Sequence, residues 1–193
     1  SSLIGGGINL VDSDFILNNL SLINNLAFEY GGGIYISGGS FEVNNAVIRE
    51  NYANNSGGAG ITIGQGSSGI IRNSTISNNV AGASPSSGDG GGIMIYSSYN
   101  NSSTVRIENS LITYNDARKK GGGIYTQAYS HIELINSNLI GNTVNSFMSA
   151  EGGGIYAEQA TDIYIVNSIL WNNDPLQVFM PYAPYGNVVI AYS

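Results

Sequence analysis

The feature that most constrains the fold of this chain is a repeat built from two linked motifs. A Gly-rich tripeptide followed by Ile occurs six times in 193 residues, and successive Ile residues lie 26, 27, 32, 31 and 31 positions apart. Each copy is followed by two Asn residues that stand six positions apart. The Ile residues are Ile8, Ile34, Ile61, Ile93, Ile124 and Ile155; the Asn pairs are Asn19/Asn25, Asn45/Asn51, Asn73/Asn79, Asn109/Asn115, Asn136/Asn142 and Asn167/Asn173. A repeat of this length predicts an array of stacked structural units.

The hydrophobic pattern inside each copy has the period of a β-strand. In the second copy, Ile34-Tyr35-Ile36 and Phe41-Glu42-Val43 both alternate, and Val47-Ile48 follows between the two Asn residues. No copy contains a helical period, and all copies run in the same direction, so each strand is expected to pair in parallel with its equivalent about 4.8 Å away in the next copy. The sequence therefore predicts an all-β fold: a right-handed, single-stranded parallel β-helix of about six coils with three short strands each, forming one domain over residues 1–193.

The copies agree in size and polarity where a coil interior requires it. Two columns besides the Gly-Ile column are apolar: Leu17, Val43, Ile71, Ile107, Leu134, Ile165, and Leu22, Ile48, Ile76, Ile112, Leu139, Leu170. Two further columns are mostly small: Leu20, Ala46, Ser74, Ser110, Ser137, Ser168, and Ala27, Ala53, Ala81, Ala117, Val144. We expect all of them inside the coil. The Gly motif predicts positive φ at the entry to the first strand. The Asn columns predict left-handed corners and amide hydrogen bonds from coil to coil.

Composition excludes several classes of function. Only 10% of the residues are charged, while the chain holds 27 Gly and 25 Asn. The net charge of −7 argues against a nucleic-acid or anionic-membrane partner. The chain has no Cys, which excludes a disulfide scaffold, a thiolate metal site and a cysteine nucleophile. No run of 18 apolar residues is present, so no membrane insertion of this segment is expected.

The two ends of the chain suggest a piece of a larger protein. It begins Ser1-Ser2, without a start Met or a signal peptide. A solenoid with open ends exposes strand edges and is expected to associate end to end. Residues 174–193 are expected to form an irregular segment plus a last strand, and Pro175, Pro181 and Pro184 favour a partial cap over the final coil.

The chain has few of the ionisable residues that a catalytic site requires. Hydrolysis of a glycan needs clustered carboxylates, and lyase chemistry needs a Lys or Arg base beside calcium and carboxylates. The catalytic candidates are His131 and Asp162, which would lie one strand spacing apart on an outward column and could form an acid–base pair. The alternative is that this column is only a ladder of solvated polar side chains. No Asn-Thr-Asp, Asp-Asp or Gly-His-Gly motif occurs, nor does any metal-ligand spacing. We therefore expect no metal and no cofactor, and an enzyme is disfavoured without being excluded.

One outward column invites binding instead. It carries Tyr35, Tyr125 and Tyr156, whose rings, if exposed, would suit sugar rings or protein contacts. The alternative is that the rings stack across strands and only stabilise the sheet.

Charged outward columns predict ion pairs that hold the register of the coils. The first such column is Asp89, Lys120 and Glu151, and the others pair Arg106 with Glu133 and Arg72 with Glu108. Insertions at residues 81–88, 96–103 and 143–150 are expected to be loops, which are the usual carriers of binding specificity in a solenoid.

The repeat resembles a known group of bacterial surface proteins. The Gly-Gly-Ala/Gly-Ile motif, with Phe15-Ile16-Leu17-Asn18 and Phe41-Glu42-Val43-Asn44 in the first two copies, resembles polymorphic outer-membrane-protein repeats. Residues 167–173 and 188–193 look like the closing coil of large secreted bacterial β-helix proteins. The resemblance implies a parallel β-helix in an extracellular or cell-surface setting, and it is weak for activity.

These observations favour a non-catalytic extracellular or bacterial cell-surface module, adhesin-like or a structural stalk. Such a module would present loops and the aromatic strip to a polysaccharide or to a surface protein of a host or neighbouring cell. Two alternatives stay open: a polysaccharide lyase or hydrolase, and a pure structural spacer.

Overall fold

The chain is a parallel β-solenoid in the computed structural model, which describes residues 2–83, 87–146, 150–181 and 186–191. Every regular element in these residues is a β-strand, and every strand pairs in parallel with its equivalent in the neighbouring coil. We number the coils one to six by their Gly motifs. The predicted all-β parallel β-helix of about six coils is confirmed.

Four sheets run along the solenoid, and each takes one strand from a coil. Sheet B follows the Gly motif and consists of β2 (Ile8–Val11), β6 (Ile34–Ser37), β10 (Ile61–Ile63), β14 (Ile93–Ile95), β18 (Ile124–Thr126), β22 (Ile155–Ala157) and β25 (Val178–Phe179). Sheet C comes next, with β3 (Phe15–Asn18), β7 (Ser40–Asn44), β11 (Ser68–Arg72), β15 (Thr104–Glu108), β19 (His131–Ile135), β23 (Asp162–Val166) and β26 (Val188–Ala191).

Two narrower sheets complete each coil. Sheet D lies between the two Asn columns and consists of β4 (Ser21–Ile23), β8 (Val47–Arg49), β12 (Thr75–Ser77), β16 (Leu111–Thr113), β20 (Asn138–Ile140) and β24 (Ile169–Trp171). Sheet A follows the second Asn column, with β1 (Ser2–Ile4), β5 (Leu26–Tyr30), β9 (Tyr52–Ala53), β13 (Val80–Ala81), β17 (Asp116–Ala117) and β21 (Thr143–Val144).

The prediction of three strands per coil is wrong, because sheet A adds a fourth strand to each coil. Most of its strands have only two residues, which is too short to show an alternating pattern.

The core is a set of stacked identical side chains, as the columns predict. Ile34, Ile61, Ile93, Ile124 and Ile155 pair Cα for Cα up sheet B, and all of them are fully buried. The Ala column of sheet A and the apolar columns of sheets C and D are buried in the same way in coils two to five. Parallel pairing in register places like residues on like, so each coil repeats the packing of the last.

The Gly motif combines a left-handed residue with close contact between coils. Its first glycine has positive φ in every copy, as in Gly31 at +66° and Gly90 at +70°. Its third glycine lies against the backbone of the next coil, and a Cβ on Gly33 would stand 2.5 Å from the carbonyl oxygen of Gly60. The predicted positive φ is confirmed, and the third position requires glycine because no side chain fits between the coils.

Both corners of sheet D are left-handed. The first Asn column forms the corner between sheets C and D, and its φ angles run from 47° to 54° as expected. The corner between sheets D and A is also left-handed, and its residues are Asn24, Glu50, Asn78, Tyr114, Gly141 and Asn172. The left-handed corner was expected at the second Asn column and lies one position before it, where Glu and Tyr interrupt the Asn pattern.

The second Asn column forms a buried hydrogen-bonded ladder, here called the asparagine ladder. Its members are Asn25, Asn51, Asn79, Asn115, Asn142 and Asn173. The backbone N–H and the side-chain amide of Asn51 both donate to Oδ1 of Asn79, at 2.9 and 3.0 Å, and the other rungs repeat this geometry. The Asn79 amide also donates to the Ile48 carbonyl at 3.0 Å. The predicted amide bonding is confirmed, and it supplies partners for polar groups that would otherwise be buried without one.

The segment after the sixth coil continues the solenoid. Asp174 pairs with Thr143, β25 extends sheet B and β26 extends sheet C. Gln177 ends the asparagine ladder, because its Oε1 accepts a hydrogen bond from the Asn173 amide at 2.7 Å. β26 is the expected last strand and is exposed, while a partial cap formed by this segment stays a prediction. Pro184, Tyr192 and Ser193 lie outside the described residues.

The asparagine ladder is expected to be a main source of stability. Asn79→Ala removes two acceptor and two donor bonds and leaves the buried Asn51 N–H unpaired. We expect the free energy of unfolding in urea to fall by about 3 kcal/mol. The matched control is Asn78→Gly at the exposed left-handed position next to it, which is expected to change stability by only a few tenths of that amount. Equal losses in the two variants would contradict a ladder contribution.

Candidate functional site

His131 and Asp162 lie on adjacent strands as predicted, but each side chain contacts a different partner. Their Cα atoms pair between β19 and β23. His131 Nε2 lies 3.4 Å from Oε1 of Glu133, while Asp162 Oδ1 accepts hydrogen bonds from the backbone and amide of Asn187, each at 3.1 Å. Asp162 therefore holds the start of β26 and forms no acid–base pair with His131.

The expected exposure of the aromatic strip is wrong for two of its three residues. Tyr125 is 5% exposed and Tyr156 is 3% exposed, and their rings stack with centroids 5.7 Å apart. Both point outward from sheet B, but side chains from neighbouring coils and segments cover them. Together they form the tyrosine cluster, whose members are Tyr30, Tyr35, Met94, Tyr96, Tyr125, Tyr156 and Phe179. The two rings pack against their neighbours, and no accessible face of theirs supports a binding role.

Tyr35 lies at the lower edge of this cluster and is half-buried. Its hydroxyl is hydrogen-bonded to the hydroxyl of Tyr96 at 2.5 Å. Burial raises the pKa of Tyr96 well above its ordinary value, and the Tyr35 hydroxyl adds to that effect. The Tyr35 hydroxyl is thus already engaged within the cluster.

Two charged side chains, Lys120 and Glu158, contact the tyrosine cluster. Lys120 Nζ lies 4.4 Å from the centroid of the Tyr156 ring and 3.9 Å from Oε1 of Glu158, which also accepts a hydrogen bond from Tyr125 at 2.8 Å. The predicted column of Asp89, Lys120 and Glu151 is present as consecutive bridges. However, the Lys120 ammonium contacts Glu158 and the ring, because the long side chain covers apolar surface.

Asp89 is the most perturbed carboxyl in this region. Lys119 Nζ stands 3.9 Å from its Oδ2, and among the residues that the structure describes its buried Oδ1 has no hydrogen-bond partner. Burial raises the pKa of Asp89 to about 6, against the opposing effect of Lys119 and Lys120. A carboxyl with a raised pKa is typical of functional sites, but it also occurs in structural clusters.

The outer face of sheet C carries an open groove with a volume of about 690 Å³. It crosses five coils, and its floor combines apolar and charged side chains. The lining residues are Asp14, Phe15, Ile16, Ser40, Phe41, Glu42, Ser68, Gly69, Ile70, Thr104, Arg106 and Glu133. On the inner side of coil three, the Phe41 ring fills the space that Gly69 leaves, because a Cβ there would stand 2.5 Å from Cγ of Phe41.

The charges in this groove are organised around Arg106. Its guanidinium contacts Glu108 at 2.6 Å and Glu133 at 3.4 Å, so the predicted pair with Glu133 is confirmed. Arg72 and Glu108 are neighbours in register as predicted, but Glu108 is engaged by Arg106. At the other end of the groove, hydrogen bonds from the Ser40 hydroxyl and N–H lower the pKa of Asp14.

A loop between sheets B and C precedes β15 in coil four. In the insertion at residues 96–103, Ser98 and Asn101 pair as an antiparallel bridge that presents Tyr99, which is 78% exposed. The Tyr99 ring meets the ring of Tyr129 edge to face at 5.5 Å. The other two predicted loops lie partly outside the described residues, at 84–86 and 147–149.

No metal centre or membrane-spanning element emerges from the described part of the chain. It holds no group of three His, Cys, Asp or Glu side chains that could ligate an ion. It also contains no helix of the length and apolar character needed to cross a membrane.

Comparison with known families defines the class of protein. The model of the family described as the right handed beta helix region matches residues 1–170. The chain therefore belongs to the right-handed β-helix family. No curated protein and no solved structure gives a significant match to the sequence.

Asp89 is expected to make stability depend on pH. Its folded pKa of about 6 lies above the ordinary 3.8, so the folded state favours the proton and stability falls as pH rises from about 4 to 6. This difference corresponds to about 3 kcal/mol. Asp89→Asn should therefore flatten the thermal midpoint between pH 4 and 7 and raise it at pH 7.5. Asp12→Asn, at an exposed turn, serves as the control. An unchanged pH profile in Asp89→Asn would show that Asp89 is not the responsible group.

Proposed function

We propose that this chain is a non-catalytic, extracellular or cell-surface β-helix module that binds a linear glycan along the groove of sheet C. The observation that carries the proposal is the groove itself, which follows the solenoid axis over five coils. An extended groove of this kind suits a polymer better than a compact small molecule.

The chemistry of the groove supports a sugar ligand. Ile16 and Ile70 offer apolar surface for the faces of sugar rings, while Arg106 and Glu133 offer hydrogen-bonding groups at the edges. Farther along the same face, the rings of His131 and Tyr164 lie with their centroids 5.1 Å apart and their planes tilted by 41°. Tyr99, in the loop before β15, is exposed and contacts Tyr129, which lies two residues before His131. Aromatic rings with polar edges are suited to the two sides of a sugar.

The extracellular or bacterial cell-surface setting is part of the proposal. It is supported by membership of the right-handed β-helix family together with the resemblance of Phe15-Ile16-Leu17-Asn18 and Phe41-Glu42-Val43-Asn44 to polymorphic outer-membrane-protein repeats. An adhesin-like role or a role as a stalk is consistent with a surface that binds without reacting. End-to-end association of the solenoid remains a prediction, and sedimentation would measure it.

A second candidate is a polysaccharide lyase or hydrolase that uses the same groove. The contact between His131 and Glu133 favours it, because a carboxylate beside an imidazole is a recurrent acid–base unit. Reducing-end release from a polysaccharide panel would detect the activity. If activity is present, Glu133→Gln should abolish it; loss in Asp162→Ala alone would point to the other predicted residue.

Glycan binding to the groove is tested by isothermal titration with linear oligosaccharides, both neutral and acidic. Ile70→Asp and Arg106→Ala are each expected to weaken binding by about tenfold, since each removes a contact at the centre of the groove. Arg49→Ala is the matched control, because Arg49 also pairs with a neighbouring Glu but lies on sheet D.

Two outcomes would overturn the proposal. Absence of binding to any oligosaccharide would favour the pure structural spacer. Equal loss of affinity in Arg106→Ala and Arg49→Ala would place the binding surface outside the groove.

A further inference from the structure

Tyr114 occupies a backbone conformation that its side chain disfavours. It lies at the left-handed corner between sheets D and A with φ of 53°, where other coils carry Asn, Gly or Glu. A bulky aromatic residue at positive φ is strained by roughly 1 kcal/mol or more. Its ring does not offset this cost by burial, because Tyr114 is 61% exposed.

The next coil provides a flat support for this ring. Gly141 follows Tyr114 in the same column, and a Cβ on Gly141 would stand 2.6 Å from Cε1 of Tyr114. The ring therefore lies across Gly141 in space that any side chain would take. The Gly141 N–H donates to the carbonyl of Trp171 at 3.0 Å, which brings Trp171 to the same corner. The Trp171 side chain is 68% exposed.

The side chains of sheet D around these two rings are uncharged. Sheet D in coils four to six carries outward side chains without charge: Leu111, Thr113, Asn138, Ile140 and Ile169. A groove of about 460 Å³ runs beside it along the corner between sheets C and D, lined by the amides of Asn73, Asn109, Asn136 and Asn138. The nearest carboxylate along the chain, Asp116, is held by hydrogen bonds from Thr143 and Asn145.

We propose that Tyr114, Gly141 and Trp171 form a stacking platform for the ring of a neutral sugar. The two aromatic faces would cover the apolar face of the ring, and amides of the adjacent groove would bond its hydroxyl groups. A strained, exposed aromatic residue laid over a glycine is explained by a ligand that uses the ring. The platform lies on sheet D and does not depend on the groove of sheet C.

The platform contains its own reporter. Trp171 is the single Trp of the chain, so tryptophan emission, excited selectively over the tyrosines, reports on this corner alone. We expect a saturable change in emission on titration with at least one of cello-, manno-, xylo- or chito-oligosaccharides, and a weaker response to oligogalacturonate.

Two variants separate the ligand-binding role of Tyr114 from a structural one. Tyr114→Asn restores the residue that other coils use; it should raise the thermal midpoint and weaken the sugar affinity by about tenfold. Tyr114→Phe keeps the ring and should bind within about twofold of the parent chain. Arg106→Ala, in the groove of sheet C, should leave the Trp171 response unchanged, so failure of one site does not affect the test of the other.

The proposal is overturned if no neutral oligosaccharide in the panel changes the emission of Trp171. It is also overturned if Tyr114→Asn binds as tightly as the parent chain, or if oligogalacturonate binds more tightly than every neutral sugar. A lower thermal midpoint in Tyr114→Asn would show that the ring serves packing and would contradict the strain on which the inference rests.

Discussion

The asparagine ladder is the interaction on which the rest of this structure depends. Each coil contributes one buried amide that accepts two hydrogen bonds from the previous coil and donates to that coil's carbonyl, as Asn79 does to Asn51 and Ile48. A shift of one residue between coils would break all of these bonds at once and leave polar groups buried without partners. The ladder therefore determines the register of every sheet, and the stacked Ile and Ala columns follow from that register.

The fold could be predicted because its determinants recur. Gly, Ile and Asn each occupy fixed places in the coil, and six copies reveal places that one copy would hide. The fourth strand escaped prediction because a pair such as Tyr52–Ala53 has no measurable period. Gln177 escaped for a different reason: it ends the ladder from outside the repeat, and no second copy exists with which it could be compared.

The candidate sites were harder to predict, because alternation tells which side of a strand a residue faces and not what lies over it. Tyr125 and Tyr156 do face outward, but Tyr96, Lys120 and Phe179 come from other segments and cover them. Conversely, the inward place of Gly69 is filled by the ring of Phe41 from the preceding coil. Burial and cavities arise from contacts between columns, and a column taken alone does not contain them.

The three outer faces thus have different capacities although they are built on one repeat. The outer face of sheet B is covered by an aromatic cluster and by Asp89, whose pKa burial raises, so most of its side chains serve packing. Sheets C and D leave their outer residues open, and these residues change from coil to coil while the inner ones stay constant. Because the asparagine ladder and the Ile columns hold the coil together, an outer position such as Tyr114 can carry a residue that its backbone conformation disfavours while the coil stays folded. Strain at such a position is therefore informative, because the interactions that hold the coils together lie elsewhere.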